Sequence, residues 1–275
     1  MLIDYSSFRP NIAQLKAAGV TAVGRYIGWN SVPGYGNPDH NIGKAEVDTL
    51  LGGGISVFLC FEYGAQEATG GGPQGTKDGE LAGQQLTELG APKGMTVYFA
   101  VDFDIPDYAP NSTDPKAKLG PVADYFAAIN ALRPGYKVGV YGGYYAVSRV
   151  MDAGLAEMAW QTVAWSGGQV YGRAVLLQPG TQMWNTNADV DVLLHGAADF
   201  GQWPRPPVPE QEPERFVANG TVSLHDAAQQ QGLAVSEVLW LTAQRRSHGY
   251  AAIEAPYIDT GQWDTAMPAG MVFWA

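Results

Sequence analysis

The stretch "TVYFAVDFD" at residues 96–104 decides the fold class that the sequence predicts. Its apolar residues form an unbroken run, which is typical of a parallel strand that is buried on both faces. The run ends in two carboxylates, Asp102 and Asp104. Side chains two positions apart on a strand point to the same side of the sheet. We therefore predict a buried strand that brings two acidic groups to one end of a sheet.

Similar apolar runs recur along the chain and are separated by segments with helical spacing. Segments such as "NIAQLKAAG" and "TKDGELAGQQLTELG" have apolar residues three and four positions apart and end in glycine, as helices do. This alternation favours an α/β fold, a closed (β/α)8 TIM-like barrel, over an open doubly wound sheet, which stays an alternative. The later units are short, so we expect rudimentary helices there. The eight predicted strands span residues 2–6, 22–28, 56–64, 96–104, 137–145, 161–166, 174–179 and 188–194.

A proline- and glutamate-rich stretch, "GQWPRPPVPEQEPERF", follows the last predicted strand. Such a composition cannot continue a helix or a strand and is typical of a semi-rigid linker. We predict a barrel at residues 1–202, a linker at 203–215 and a small, mostly helical module at 216–275. The module is too short for a large core of its own, so we expect a compact unit or one that packs on the barrel or on another chain.

Composition excludes several classes of partner. The net charge is -11 and the sequence pI is about 4.7, which argues against nucleic acid and against an anionic membrane surface. No apolar run approaches the roughly 18 residues of a membrane span. The chain passes from Met1 directly into "LIDYSS", so we expect no secretion signal.

Cysteine and histidine usage predicts neither a disulfide nor a metal site. The single cysteine, Cys60, lies in the apolar run "VFLCF" and is expected to be a buried thiol. The four histidines are far apart and lack metal-ligand spacing. We predict no metal and no cofactor.

Polar and aromatic side chains stand at the ends of most predicted strands. In a barrel these ends surround the substrate pocket, and clustered carboxylates there should have raised pKa values. A protonated acid beside an ionised carboxylate is what a glycosidase needs, with aromatic rings to stack on the sugar. An alternative for each Asp is a helix cap or a turn, above all for Asp104 in "DIPDY". For Arg25 a structural ion pair and a substrate contact stay open. The candidates are Asp4, Glu62, Asp102 and Asp104 for catalysis, and Tyr141, Trp165, Gln178, Asp189, Asp191 and Arg25 for substrate binding.

The motifs "LIDYSSFRPNIAQLKAAGVTAVGRYIG", "FEYG", "YFAVDFD", "VGVYGGYY", "AWSGG", "LLQ" and "ADVDVLL" resemble the glycoside-hydrolase-like family labelled domain of unknown function 1906, over about residues 1–200. More weakly, they are similar to the landmarks of the family-25 lysozymes. That resemblance implies roles for Asp4 and Asp102 and places Asp104 where those enzymes have their acidic glutamate. Tyr63 of "FEYG" is a further candidate for substrate binding. Asp104 is one methylene shorter than glutamate, so either Glu62 acts as the acid or the site binds glycan without cleaving it.

Residues 216–275, with "TVSLHDAAQQQGLAVSEVL" and "MPAGMVFWA", resemble the LysM-like segment of tail and minor structural proteins of actinobacterial phages. The resemblance implies attachment to peptidoglycan or to other virion proteins through residues 203–275, and a location in the virion or on the cell-wall side. Two functions follow from the sequence. The first is a muramidase-like hydrolase of bacterial cell-wall glycan, and the second is an inactive virion or carbohydrate-binding protein on the same barrel.

Overall fold

The computed structural model describes residues 1–29, 40–132, 135–197 and 199–204, and the backbone of two short strands nearer the C-terminus. The chain divides into two units, Met1–Pro206 and Pro207–Ala275. Their boundary falls within the proline-rich stretch.

Eight strands of the first unit close into a barrel, which confirms the predicted TIM-like fold. Strands β1 to β7 pair in parallel in chain order, and β9 pairs with both β7 and β1 and so closes the sheet. A short strand β8 forms a hairpin with β9. The strands are β1 (Leu2–Asp4), β2 (Ala22–Ile27), β3 (Ser56–Phe61), β4 (Thr96–Val101), β5 (Lys137–Gly142), β6 (Met158–Thr162), β7 (Leu176–Gln178), β8 (Gln182–Met183) and β9 (Ala188–Leu193).

The direction of the last barrel strand differs from the prediction of eight parallel units. Strand β9 runs antiparallel to both of its neighbours. Parallel strands need a crossover of a dozen or more residues, whereas antiparallel strands can be joined by a tight turn. The connection between β7 and β9 spans residues 179–187 and also contains β8, so it is too short for a crossover helix. Strand β9 therefore begins, rather than ends, at the rim where β1 to β7 end.

Helices cover the part of the barrel built from β1 to β5. Between β6 and β9, where the structure describes every residue, no helix forms, as expected for the short later units. The helices are α1 (Ile12–Ala17), α2 (Lys44–Gly52), α3 (Gly71–Leu89), α4 (Pro115–Leu119), α5 (Pro121–Ala131) and α6 (Tyr144–Asp152), and a 3-10 turn at Glu67–Gly70 precedes α3. Of these described helices, none combines the length and the apolar character that a membrane crossing requires.

The barrel interior is filled by aromatic side chains and is closed at its N-terminal end by residues 199–204. The Phe200 ring packs edge-on against Phe58, with ring centroids 5.7 Å apart. The Tyr98 hydroxyl donates a 2.8 Å hydrogen bond to the Phe200 carbonyl oxygen, and Trp203 pairs with Val57 at the start of β3. This plug leaves the opposite end of the barrel, where β1 to β7 end, as the open one.

The described part of the second unit is an antiparallel pair of strands, β10 (Arg215–Val217) and β11 (Val272–Trp274). Arg215, which the sequence assigns to the linker, is the first residue of β10. The two predicted helices of the LysM-like module lie outside the described residues.

Candidate active site

Six polar side chains converge at the open end of the barrel, which we call the mouth. Residues at alternate positions of each strand point into the barrel, and at the strand ends these positions are polar. Glu62 and Asp102 directly follow β3 and β4, and their backbone N–H groups are anchored on the Ile27 and Ala65 carbonyl oxygens at 3.0 and 3.3 Å. The mouth consists of Asp4, Tyr26, Glu62, Asp102, Tyr141 and Gln178.

Asp4 is the most firmly held carboxyl group of the mouth. Its Oδ1 accepts a 2.9 Å hydrogen bond from the Tyr26 hydroxyl, and its Oδ2 accepts a 2.8 Å bond from Nε2 of Gln178. Tyr141 in turn donates to Oε1 of Gln178 at 2.8 Å and fixes that amide. Burial raises the pKa of Asp4 to about 7, although the Gln178 hydrogen bond works in the opposite direction.

Asp191 lies beside Asp4 because β9 enters the barrel from the rim. In the antiparallel register Asp191 is opposite Leu2 and Asp189 is opposite Asp4. Asp191 is 2% exposed, its Oδ1 accepts a 2.9 Å hydrogen bond from Trp160 Nε1, and its carboxyl group is in hydrogen-bond contact with that of Asp4. Burial, followed by the charge of Asp4, raises the pKa of Asp191 well above its usual range.

Glu62 and Asp102 form the acidic pair nearest to solvent in the mouth. Burial, followed by the charges of Asp102, Glu67 and Asp4, raises the pKa of Glu62 to about 8. Burial also raises the pKa of Asp102. Glu62 is thus protonated at neutral pH beside a second carboxyl group, which is the state of a general acid.

Glu67, which the sequence analysis does not identify, is buried close enough to Glu62 for its charge to raise the pKa of Glu62. Glu67 is 8% exposed, accepts hydrogen bonds from the backbone N–H groups of Tyr63 and Gly64, and has a raised pKa because of its burial. Its Oε2 has no hydrogen-bond partner among the described residues. Its signal in the sequence is weak, because it is a second glutamate five positions after Glu62 in an irregular segment.

Asp78 is a second buried carboxylate that the sequence does not reveal, and it lies on α3 behind the same segment. Oxygen Oδ1 accepts hydrogen bonds from the Tyr63 hydroxyl at 3.1 Å and from Nε2 of Gln74 at 2.7 Å, and Oδ2 accepts one from the Tyr125 hydroxyl at 3.0 Å. Helices α3 and α5 approach closely because Gly75 has no side chain: a Cβ there would lie 2.2 Å from the Tyr125 carbonyl oxygen. Asp78 therefore anchors the residues that follow β3.

Three other predicted residues lie around the rim. Asp104 is exposed beyond the end of β4 and makes no hydrogen bond or ion pair with the described residues. Trp165 is 39% exposed and has a φ of 54°, a strained value for a bulky residue. Asp189 accepts a 3.1 Å hydrogen bond from Gln182 Nε2, and its charge raises the pKa of Asp4. Trp165 thus offers a ring to solvent. Asp104 is exposed and, unlike Asp4 and Asp191, is not part of the buried cluster.

Two predicted binding residues are not brought to the mouth. Arg25 points outward from β2, is fully buried, and donates from Nε to Glu46 Oε1 of α2 at 2.8 Å and from Nη1 to the Tyr5 carbonyl oxygen. Of the two alternatives for Arg25, the structure shows the ion pair, with Glu46. Tyr63 also points outward, onto Asp78. Each of the two is next in sequence to a mouth residue, Tyr26 or Glu62, and therefore points to the opposite face of its strand.

The described residues contain no group of three His, Cys, Asp or Glu side chains that could hold a metal ion. Cys60 is a free and buried thiol, as predicted. Burial and the charge of Glu62 raise the pKa of Cys60 well above its usual range, so this thiol stays protonated.

A closed barrel with carboxylates and aromatic residues at the C-terminal strand ends is characteristic of the glycoside-hydrolase-like barrels. The chain belongs to the family of the Rv2525c-like, glycoside hydrolase-like domain, whose match covers residues 13–221. The predicted resemblance to a glycoside-hydrolase-like family is thereby confirmed.

Individual relatives agree with this assignment. The Bacillus subtilis protein YbfG is 33% identical over 156 residues, which are 53% of this chain and 20% of YbfG. The chain thus matches about a fifth of the length of that relative. Rv2525c of Mycobacterium tuberculosis, a candidate peptidoglycan hydrolase, is 23% identical over 210 residues, which are 74% of this chain and 83% of Rv2525c. The crystal structure of that Tat-secreted protein has the same fold, with a TM-score of 0.63 over 74% of this chain and 98% of the other.

A family 25 glycosyl hydrolase from Bacillus anthracis is also similar, with 12% identity, a TM-score of 0.38, and coverage of 70% of this chain and 87% of the other. A likeness at this level assigns no catalytic residue to the present chain.

Proposed function

We propose that this protein hydrolyses the glycan strands of bacterial peptidoglycan, with Glu62 as the general acid and Asp102 as the partner carboxylate. The observation that carries the proposal is the state of Glu62. It is held protonated at neutral pH, at the open end of a barrel and beside a second carboxyl group. Glycosidases of both stereochemical classes need such a pair.

The two carboxyl groups divide the chemistry between them. Glu62 donates its proton to the glycosidic oxygen as the bond to the leaving sugar breaks. Asp102 is less buried than Glu62, and its negative charge faces the oxocarbenium-like centre that develops on the other sugar. Asp4, tied to Tyr26 and Gln178, shapes the inner wall of the pocket.

The substrate assignment rests on the family and on the aromatic rim. A related protein from Mycobacterium tuberculosis is a candidate peptidoglycan hydrolase. The exposed Trp165 ring at the rim is suited to stacking on a sugar face. Muramidase specificity follows from the resemblance of the strand-end motifs to the family-25 lysozymes, and we include it in the proposal.

We further propose that the protein acts on the cell-wall side, as part of a phage particle or lysis system, and that residues 203–275 attach it to the wall or to other virion proteins. The support is the resemblance of residues 216–275 to LysM-like segments of phage structural proteins. Cosedimentation of the full-length protein with purified cell walls, competed by soluble muropeptides, tests the attachment. Absence of saturable binding would remove this part of the proposal.

A second candidate function is glycan binding without cleavage. Asp104 favours it, since an aspartate stands where the family-25 enzymes have a glutamate, and this aspartate is exposed and without a partner among the described residues. This function predicts saturable binding to cell walls without new reducing ends.

Release of reducing ends and muropeptides from purified actinobacterial peptidoglycan separates the two functions. The wild type is compared with Glu62→Gln and Asp102→Asn, and with the matched surface controls Glu80→Gln and Asp48→Asn, which are exposed on α3 and α2. Hydrolysis predicts release by the wild type and both controls, and a loss of about 10²-fold or more in the two mouth variants. Wall binding without release from any of them would establish the second function instead.

A further inference from the structure

Asp4 and Asp191 form a buried acidic pair without a cation. Each is 2% exposed, and their carboxyl groups are in hydrogen-bond contact. No ion pair in the described part of the chain includes either residue. Arg25, on the neighbouring strand β2, points away from the interior to Glu46. Two carboxylates in contact without a compensating cation cannot both be ionised, so the pair must share a proton.

The hydrogen-bond donors around the pair indicate which residue holds this proton. Asp4 has a donor on each oxygen, Tyr26 on Oδ1 and Gln178 on Oδ2, as an ionised carboxylate requires. Asp191 has one donor, Trp160 on Oδ1, and no described residue offers a donor to its buried Oδ2. A buried acceptor without a donor is costly, whereas a proton on that atom turns it into a donor toward the adjacent carboxylate.

We propose that Asp191 is a positioning residue that holds a proton on Oδ2 and donates it in a hydrogen bond to Asp4, so that the pair carries one negative charge, on Asp4, below Glu62. Asp191 then acts on the chemistry through Asp4 and touches no substrate. The consequence for Glu62 rests on the hydrolase function proposed above, whereas the location of the proton does not.

The charge on Asp4 connects this pair to the general acid. That charge is one of those that raise the pKa of Glu62. A side chain without a donor at position 191 leaves Asp4 less stabilised as an anion, so Asp4 becomes neutral more readily and Glu62 loses its proton at lower pH. The titratable groups that face the pair from the other strands and from β9 are Asp189, Tyr26, Cys60, Glu62, Tyr98 and Tyr141.

Two variants at position 191 test the proposal through the pH profile of muropeptide release. Asp191→Asn keeps a donor, its amide N–H, at the place of the protonated oxygen, whereas Asp191→Leu removes it. We expect release to fall about tenfold or more in Asp191→Leu, with the basic limb of its profile at lower pH, and to be rescued to within about threefold in Asp191→Asn. Loss of release in a folded Asp191→Asn protein, as large as that in Asp191→Leu, would overturn the proposal, because it would require an ionisable Asp191.

Thermal unfolding as a function of pH tests the proton without using activity. A carboxyl group whose folded-state pKa is raised stabilises the fold most below its unfolded pKa, and this stabilisation is lost as the pH rises through the folded pKa. The unfolding midpoint should therefore fall between about pH 4 and pH 8 in the wild type and in the Asp48→Asn control, and fall less in Asp191→Asn. An equal fall in Asp191→Asn and the wild type would overturn the proposal. If the wild type released no muropeptides, the hydrolase function would fail, and this unfolding comparison would still test whether Asp191 contributes to the protonation of the folded pair.

Discussion

Glu62 and Asp102 extend from the neighbouring parallel strands β3 and β4 into the same open end of the barrel, and the charge of Asp102 adds to the burial that raises the pKa of Glu62 to about 8. Asp102 therefore helps burial to keep Glu62 protonated, in addition to its proposed role in the chemistry. The pH profile of the proposed hydrolysis should therefore report on this pair of carboxyl groups.

Glu67→Gln should move the basic limb of the pH profile of muropeptide release to lower pH. The charge of Glu67 is one of those that raise the pKa of Glu62, and glutamine removes it while its amide oxygen can still accept the hydrogen bonds from Tyr63 and Gly64. The maximal rate should change by less than about tenfold, because Glu67 is buried behind the mouth. A basic limb at the wild-type position would show that Glu67 is uncoupled from Glu62.

Trp165→Ala should weaken cell-wall binding more than it slows the chemical step. The Trp165 ring is exposed at the rim, and a stacking contact with a sugar contributes about 1 to 3 kcal/mol by analogy with base stacking on aromatic side chains. The control is Tyr108→Ala, another exposed aromatic residue, whose ring packs on Gly120. Binding isotherms on purified walls measure the effect, and equal affinities for the two variants would contradict a sugar-binding role of Trp165.

Glu62→Gln should make the free energy of unfolding less dependent on pH. The folded-state pKa of Glu62 is about 8 and its model-peptide value is 4.5, so the folded protein binds the proton more tightly than the unfolded chain. The stabilisation from this proton is fully present below the unfolded-state pKa and is lost as the pH rises to the folded-state pKa. It is at most about 1.4 kcal/mol for each unit by which the two pKa values differ. Urea unfolding at about pH 5 and pH 8 should show a smaller loss of stability in Glu62→Gln than in Glu80→Gln. Identical losses would mean that Glu62 is not protonated in the folded state.

Phe200→Ala should destabilise the barrel by about 3 to 5 kcal/mol, because the Phe200 ring fills the N-terminal end of the interior against Phe58. Val170→Ala, at an exposed position, serves as the control and should change the stability by less than about 0.5 kcal/mol. Urea unfolding of both variants measures the difference. A Phe200→Ala protein as stable as the control would contradict the role of residues 199–204 as a structural plug.

The sequence predicts the barrel well because its strands are buried on both faces and therefore form apolar runs. The runs "VFLCF" and "VYFAV" locate β3 and β4, and the first polar residues after them, Glu62 and Asp102, are the acidic pair of the mouth. The direction of β9 could not be obtained from its pattern. It depends on the length of a connection, and a buried strand looks alike in either direction.

The same burial explains why the sequence does not show that Arg25 and Tyr63 point away from the mouth. When both faces of a strand are apolar, the sequence does not show which side chains point inward, so it does not reveal that Tyr26, the neighbour of Arg25, is the residue that reaches Asp4. The sequence does not reveal Glu67 and Asp78 for another reason. They come from an irregular segment and from a helix, and the folding of the chain places them behind the ends of β3 and β4.

The pH dependence of muropeptide release from purified peptidoglycan by the wild type and by Asp102→Asn tests the central claim most directly. We predict release by the wild type with a basic limb set by Glu62 at about pH 8, and a loss of about 10²-fold or more in Asp102→Asn, with the residual activity ending at lower pH because Glu62 has lost the neighbouring charge. Unchanged release and an unchanged basic limb in a folded Asp102→Asn protein would contradict the account.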